Sequence, residues 1–90
     1  MTDSQIDLTK VETTLDFLRF LLGKEIKIKC KFNRTLTGVL NAYDEHLNLL
    51  ISNANEKFVE NNVASERKLD TLFIRGDVVV FVSPVMKQKI

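Results

Sequence analysis

The chain is poor in the residues that staple a small domain or hold a cofactor in it. Its one cysteine, Cys30, excludes an intramolecular disulfide. Its one histidine, His46, argues against a zinc site, and neither a metal nor a cofactor is expected. With no tryptophan and a single tyrosine, it lacks the aromatic stripe of barrels that bind proline-rich peptides. No apolar run approaches the length of a membrane span, and the N-terminus shows no signal-peptide pattern, so an intracellular chain with no membrane contact is expected. Neither sign of charge dominates. Thirteen lysines and arginines against twelve aspartates and glutamates leave +1, which is no general electrostatic footprint for nucleic acid. Any such binding has to come from a local site, or from several copies sharing one.

What the sequence does carry is strand alternation. Ninety residues allow one domain with a small core. Residues 1–12 are polar and aperiodic and read as a loose arm, 13–84 as the domain, and 85–90 as a tail. Thr13 is a plausible N-cap for a short helix in which Leu15, Leu18 and Leu22 recur at helical spacing until Gly23 stops it. Phe17 and Phe20 make that helix unusually apolar; its faces either cover the open end of a barrel or touch a neighbouring chain.

From Glu25 to Phe32, Ile26, Ile28, Cys30 and Phe32 alternate with Lys27, Lys29 and Lys31. Cys30 therefore reads as core, and the lysines as a solvated face in preference to a set of phosphate contacts. The next strand places Leu36, Gly38, Leu40 and Ala42 on one face, and a glycine in mid-strand marks a sharp bend. Leu49-Leu50-Ile51 forms the core of a third strand that continues towards Phe58-Val59 across Asn53-Ala54-Asn55. Residues Glu60 to Glu66 read as a loop. A fourth strand, Arg67 to Ile74, has Leu72 and Ile74 facing one way and Leu69 and Phe73 the other. A fifth, Val78-Val79-Val80-Phe81-Val82, is apolar on both faces and ends at Ser83-Pro84. An edge of that kind invites pairing with another chain. One helix followed by five turn-separated strands predicts a mainly β fold, a strongly bent antiparallel sheet closed into a small SH3-like barrel.

Two polar turns stand out. Asp44, His46 and Asn48 crowd the bend between the second and third strands, more hydrogen-bonding capacity than a turn needs, since Asp44 or Asn48 alone could close it. Ile74-Arg75-Gly76-Asp77 sits between the last two strands. The two turns are expected to meet in space and bind single-stranded RNA, with pure turn chemistry as the plainer reading of each residue taken alone.

With Gly38, Asp44 and Asn48 in one motif and Ile74-Arg75-Gly76-Asp77 in the other, the stretch from Leu15 to Pro84 resembles the Sm and like-Sm family of RNA-binding ring proteins. Ala42 to Leu49 and Leu72 to Asp77 look most like the branch of the third like-Sm subunit of eukaryotes, although Thr14 stands where that branch often has proline. The resemblance implies a ring of seven different subunits in which the fourth strand of one pairs with the fifth of the next, through Leu69, Leu72, Phe73, Val78, Val79, Val80, Phe81 and Val82. It also implies that an isolated chain could close a homo-oligomeric ring through the same edges.

Carried over residue by residue, His46 would stack on a base, Arg75 would bracket its other face, and Asn48 would read a uracil edge. Gly76 would allow an unusual backbone angle and a close approach to RNA, and Asp44 would support the loop. The implied partners are other like-Sm subunits and U-rich single-stranded RNA: the 3′ end of U6 snRNA in pre-mRNA splicing in the nucleus, and deadenylated mRNA 3′ ends in decapping and decay in the cytoplasm. The competing class is an isolated SH3-like barrel acting as a peptide-binding module. An enzyme is not expected: Asp44 and His46 could be drawn with Ser52 or Cys30 as a hydrolase set, but Cys30 alternates with core residues, and a neighbouring Asp-x-His cannot by spacing alone orient a nucleophile.

Overall fold

The computed structural model describes residues 14–85; the expected arm, the Thr13 cap and the tail beyond Val85 lie outside the described residues. The elements follow in the order helix α1 (Thr14–Leu21) and strands β1 (Glu25–Cys30), β2 (Arg34–Tyr43), β3 (Leu49–Glu60), β4 (Val63–Ile74) and β5 (Val79–Pro84). The strands form one antiparallel sheet in the order β4-β3-β2-β1-β5, so β4 and β5 are its two edges. Mainly β, strongly bent and five-stranded, this is the expected fold class.

Helix α1 closes one end. Leu18 and Leu21 are buried and Phe17 packs against the core, while Phe20 stays half exposed. The helix stops where Gly23 adopts φ 79, and the Gly23 N–H then donates to the Leu40 carbonyl at 2.8 Å. Only glycine takes that conformation cheaply. Leu40 N–H returns a bond to the Lys24 carbonyl at 3.0 Å, fixing the helix end to the middle of β2.

The core is the inward face of the alternation: Ile26, Ile28, Cys30, Leu36, Leu40, Leu49, Ile51 and Ile74 are all buried. The bend comes where expected. Opposite Gly38, β3 inserts an extra residue, so the pairing passes from Thr37↔Asn55 to Val39↔Ser52. A Cβ on Gly38 would lie 2.9 Å from the Ser52 carbonyl oxygen. Asn53 takes up the extra residue at φ 51. This bulge turns the side chains over, so Ile51 and Ala54, three apart, both point inward.

Several expectations are corrected by such local geometry. Phe32 is not an inward strand residue: β1 ends at Cys30, Phe32 and Asn33 adopt φ 64 and 59 in a turn, and the ring is 80% exposed. Ala42 faces solvent because Asn41 is an extra residue between the pairs Leu40↔Ile51 and Ala42↔Leu50. Leu69, opposite Ala54, packs on the core with Leu72 instead of facing outward beside Phe73. The expected loop Glu60–Glu66 is mostly strand, because Asn61 and Asn62, at φ 53 and 62, close a two-residue hairpin turn and β4 starts at Val63. Val78 belongs to a 3-10 turn, Gly76–Val78, that precedes β5. Val85, placed in the tail, donates its N–H to the Glu25 carbonyl at 3.0 Å.

One buried charge braces the bend. Glu56 is 2% exposed and accepts from Arg34 Nε at 2.6 Å and from Arg67 Nε at 2.5 Å. Burial pushes its carboxyl up, but the hydrogen bonds from the two guanidiniums more than offset this and hold it below its ordinary range.

Candidate nucleic-acid interface

The loop between β2 and β3 is built on the Asp44 carboxylate. Its Oδ1 accepts the backbone N–H groups of His46 at 2.9 Å and Asn48 at 3.1 Å. Its Oδ2 accepts Nδ2 of Asn48 at 2.9 Å. The Asn48 side-chain bond is the main reason that the carboxyl sits below its usual range. With Leu47 at φ 64 and its N–H on the Asp44 carbonyl, the bend is fully specified by local bonds. Asp44 thus faces the loop backbone, and the His46 side chain, 76% exposed, is turned out to solvent.

Asn48 joins this loop to the second turn. While Nδ2 holds Asp44, Oδ1 accepts the Gly76 N–H at 2.8 Å, so one amide spans 28 positions of sequence. It retains one N–H and one lone pair for a further partner. Gly76 is corrected in its role. It does not adopt a left-handed angle, and its close approach is to the chain itself. A Cβ there would fall on the His46 carbonyl oxygen and 3.0 Å from the backbone carbons of His46 and Leu47.

The two turns therefore meet, as expected. His46, Asn48 and Arg75 line one shallow depression of about 360 Å3 together with Phe73 and Asp77. Arg75 Nη2 lies 3.1 Å from Asp77 Oδ2, and both side chains are well exposed. An exposed pair of that kind contributes only about 0.2–1 kcal/mol, so the guanidinium is free to turn onto a planar ligand. The depression offers two flat π systems, one amide with spare capacity and a mixed-charge rim. That chemistry suits an uncharged heterocycle on an extended strand better than a dense phosphate array. No three metal-ligating side chains converge among the described residues.

Two lining residues were not anticipated. Phe73 was assigned to a subunit interface and Asp77 to nothing beyond its turn. The spacing of Phe73 and Arg75 already hinted at a shared face, since alternate residues of an extended segment point the same way, whereas Asp77 reaches it from the 3-10 turn Gly76–Val78. The residues expected at the interface divide. Leu69, Leu72, Val78, Val79 and Val82 pack on this chain's own core, whereas Phe73, Val80 and Phe81 are 59%, 57% and 51% exposed. Beside β5, an apolar groove of about 260 Å3 runs between Phe17 of α1 and Val80 and Phe81.

Comparison with known proteins agrees with this geometry. The family model of the LSM domain matches residues 16–84. The probable U6 snRNA-associated Sm-like protein LSm3 of Dictyostelium discoideum is 37% identical over 87 residues, covering 86% of this chain and 90% of the relative. The structure of the Pyrococcus abyssii Sm protein in complex with a uridine heptamer superposes with a TM-score of 0.70 at 28% identity, over 82% of this chain and all of that one. A heptameric archaeal Sm protein superposes at 0.63 with 31% identity, over 78% and 97% of the two chains.

Proposed function

This chain belongs to the Sm-like, LSM-domain family, and from that premise we propose that it is a non-catalytic RNA-binding subunit of a seven-membered like-Sm ring. The observation that carries the proposal is the Asn48 amide, which ties the Asp44–Asn48 loop to Gly76 and so sets His46 and Arg75 around one depression. A base entering there stacks on His46, takes the Arg75 guanidinium on its other face, and meets the remaining donor and acceptor of Asn48. Stacking contributes about 1–3 kcal/mol per base, so one subunit binds weakly and a ring of such depressions binds well.

Ring assembly is supported by the two unlike edges. β5 is six residues long and apolar, and the second half of β4, Leu69 to Ile74, has the same length. Joined copy to copy, they would cover Val80 and Phe81, and an isolated chain would close a homo-oligomer in the same way. The likeness to an LSm3 protein described as U6 snRNA-associated supports the finer reading: the uridine-rich 3′ end of U6 snRNA in the nucleus, and deadenylated mRNA bound by a cytoplasmic ring that promotes decapping.

Native mass spectrometry of the complex recovered with a tagged copy of this chain tests both levels. The expected result is a ring of different subunits of similar mass, with one copy of this chain and bound U-rich RNA. A monomer without RNA would overturn the proposal.

A further inference from the structure

The hairpin end of β3 and β4 carries a second concave surface, a groove of about 650 Å3 remote from His46 and Arg75. Its floor is a row across four strands: Lys29 pairs with Thr35, Thr35 with Lys57, and Lys57 with Glu66. Paired residues share a face, and so do residues two positions along a strand, so Val59 and its partner Ala64 continue the row as an apolar step beside Lys57. Asn33, Phe58 and Ser65 also border the groove.

The charge in the groove is unbalanced. Lys29 and Lys57 form no ion pair among the described residues and outnumber the one anion of the lining, Glu66, which keeps its charge while accepting from Asn55 Nδ2 at 2.7 Å. Val59 is 48% exposed, and Val63, on the same hairpin, 61%.

We propose that this groove docks a short extended segment of a partner protein in which acidic and aliphatic side chains neighbour one another, its carboxylates on Lys29 and Lys57 and an aliphatic side chain on Val59 and Ala64. A phosphate backbone would satisfy the lysines and leave the apolar step wet, whereas the mixed segment matches both halves. The surface stays open in the assembly. β4 has twelve residues and a neighbouring β5 has six, so pairing along Leu69 to Ile74 leaves Val63 to Lys68 outside the contact. This last step rests on the ring reading. Nine residues of strand, up to roughly 30 Å at about 3.3 Å each, separate Glu66 from Arg75, so peptide and RNA can be held together.

The test selects a phage library of random octapeptides against the assembled chain and titrates the enriched peptides, fluorescein-labelled, by anisotropy. The expected peptides combine Asp or Glu with Val, Ile or Leu. Their affinity falls at least tenfold on the double variant Lys57→Glu, Val59→Asp, and by less than twofold on Lys27→Glu, an exposed lysine outside the groove. Affinity of the double variant for a uridine heptamer stays within twofold. The proposal is overturned if no peptide is enriched, if enriched peptides bind the double variant unchanged, or if the double variant loses uridine affinity instead, which would give the groove to RNA phosphates. Native mass spectrometry of the same samples separates the two readings, since a monomer refutes the ring while the titration still decides the groove.

Discussion

Replacing Gly76 by alanine tests the joint between the two turns directly. The added Cβ meets the His46 carbonyl oxygen and two further backbone carbons, and no rotamer change can relieve a contact between backbone atoms. One of the two turns has to move. Overpacking of this kind costs about 1–3 kcal/mol. The displacement also stretches the Gly76 N–H bond to Asn48 Oδ1, worth about 1 kcal/mol more. For a domain of this size each kcal/mol lowers Tm by roughly 4–8 °C, so Gly76→Ala is expected to melt about 8–30 °C lower.

The functional loss goes beyond stability. If His46 and Arg75 no longer flank one base, the stacking contribution of about 1–3 kcal/mol is forfeited, a drop of roughly 5- to 150-fold per depression. Calorimetry and oligouridine titration well below the new Tm read the two effects separately. Gly23→Ala is the control: it is strained at φ 79 with nothing within 4 Å of its Cβ, so it lowers Tm without touching the RNA site. A Gly76→Ala protein with unchanged Tm and uridine affinity would refute the joint.

His46→Ala is expected to lower oligouridine affinity by about 5- to 150-fold while leaving the urea midpoint unchanged, because the side chain is exposed and only its backbone N–H holds the loop. Asn48→Asp places a second carboxylate 2.9 Å from Asp44 and removes the donor between them; because like charges that close push one carboxyl up, weaker uridine binding that recovers partly as pH falls towards the ordinary carboxylate range, before reaching it, is the expected readout. Glu56→Gln leaves Arg34 and Arg67 without their shared anion and is expected to destabilise the fold by about 3–5 kcal/mol, nearer the lower figure because Arg67 reaches water. The Glu56 carboxyl is held below its ordinary value of 4.5, so its contribution is complete above that pH and is lost as pH falls through the lower folded value. Urea unfolding followed by circular dichroism is therefore expected to show the stability gap between the wild type and Glu56→Gln narrowing as pH falls below 4.5, because only the wild type has this stabilisation to lose.

The parts legible in the sequence are those written in local chemistry. The alternation from Ile26 to Cys30, the bend at Gly38 and the stop at Gly23 each follow from side-chain period or from the absence of a Cβ. The crowding of Asp44, His46 and Asn48 could be read as a self-bracing loop because all its bonds span four residues or fewer, apart from the one to Gly76. What escaped depends on register. A bulge shifts the count by one, so Ala42 left the core and Leu69 joined it without any change in the hydrophobic pattern around them. Phe32 looked like the next inward residue until two positive φ angles turned the chain. The Glu56 cluster joins β2, β3 and β4 across 22 and 11 positions, and a lone charge at an inward position gave no sign of its partners.

If copies join through the two edges of the sheet, as proposed, those edges also determine how the assembly grows. β4 and β5 are different strands, so a contact between them is head-to-tail: every addition buries one edge and exposes another of the same kind. An open dimer or trimer is not self-limiting under that rule. Growth ends only when the rotation per subunit brings the last free β5 back to the first free β4, and partial arcs keep both apolar ends exposed. Closure should therefore be all-or-none in concentration, and in a ring of different subunits a shortage of any one would leave the others as open, aggregation-prone arcs. The bend at Gly38 and Asn53, which sets the relative angle of the two edges, would then fix how many subunits complete the circle.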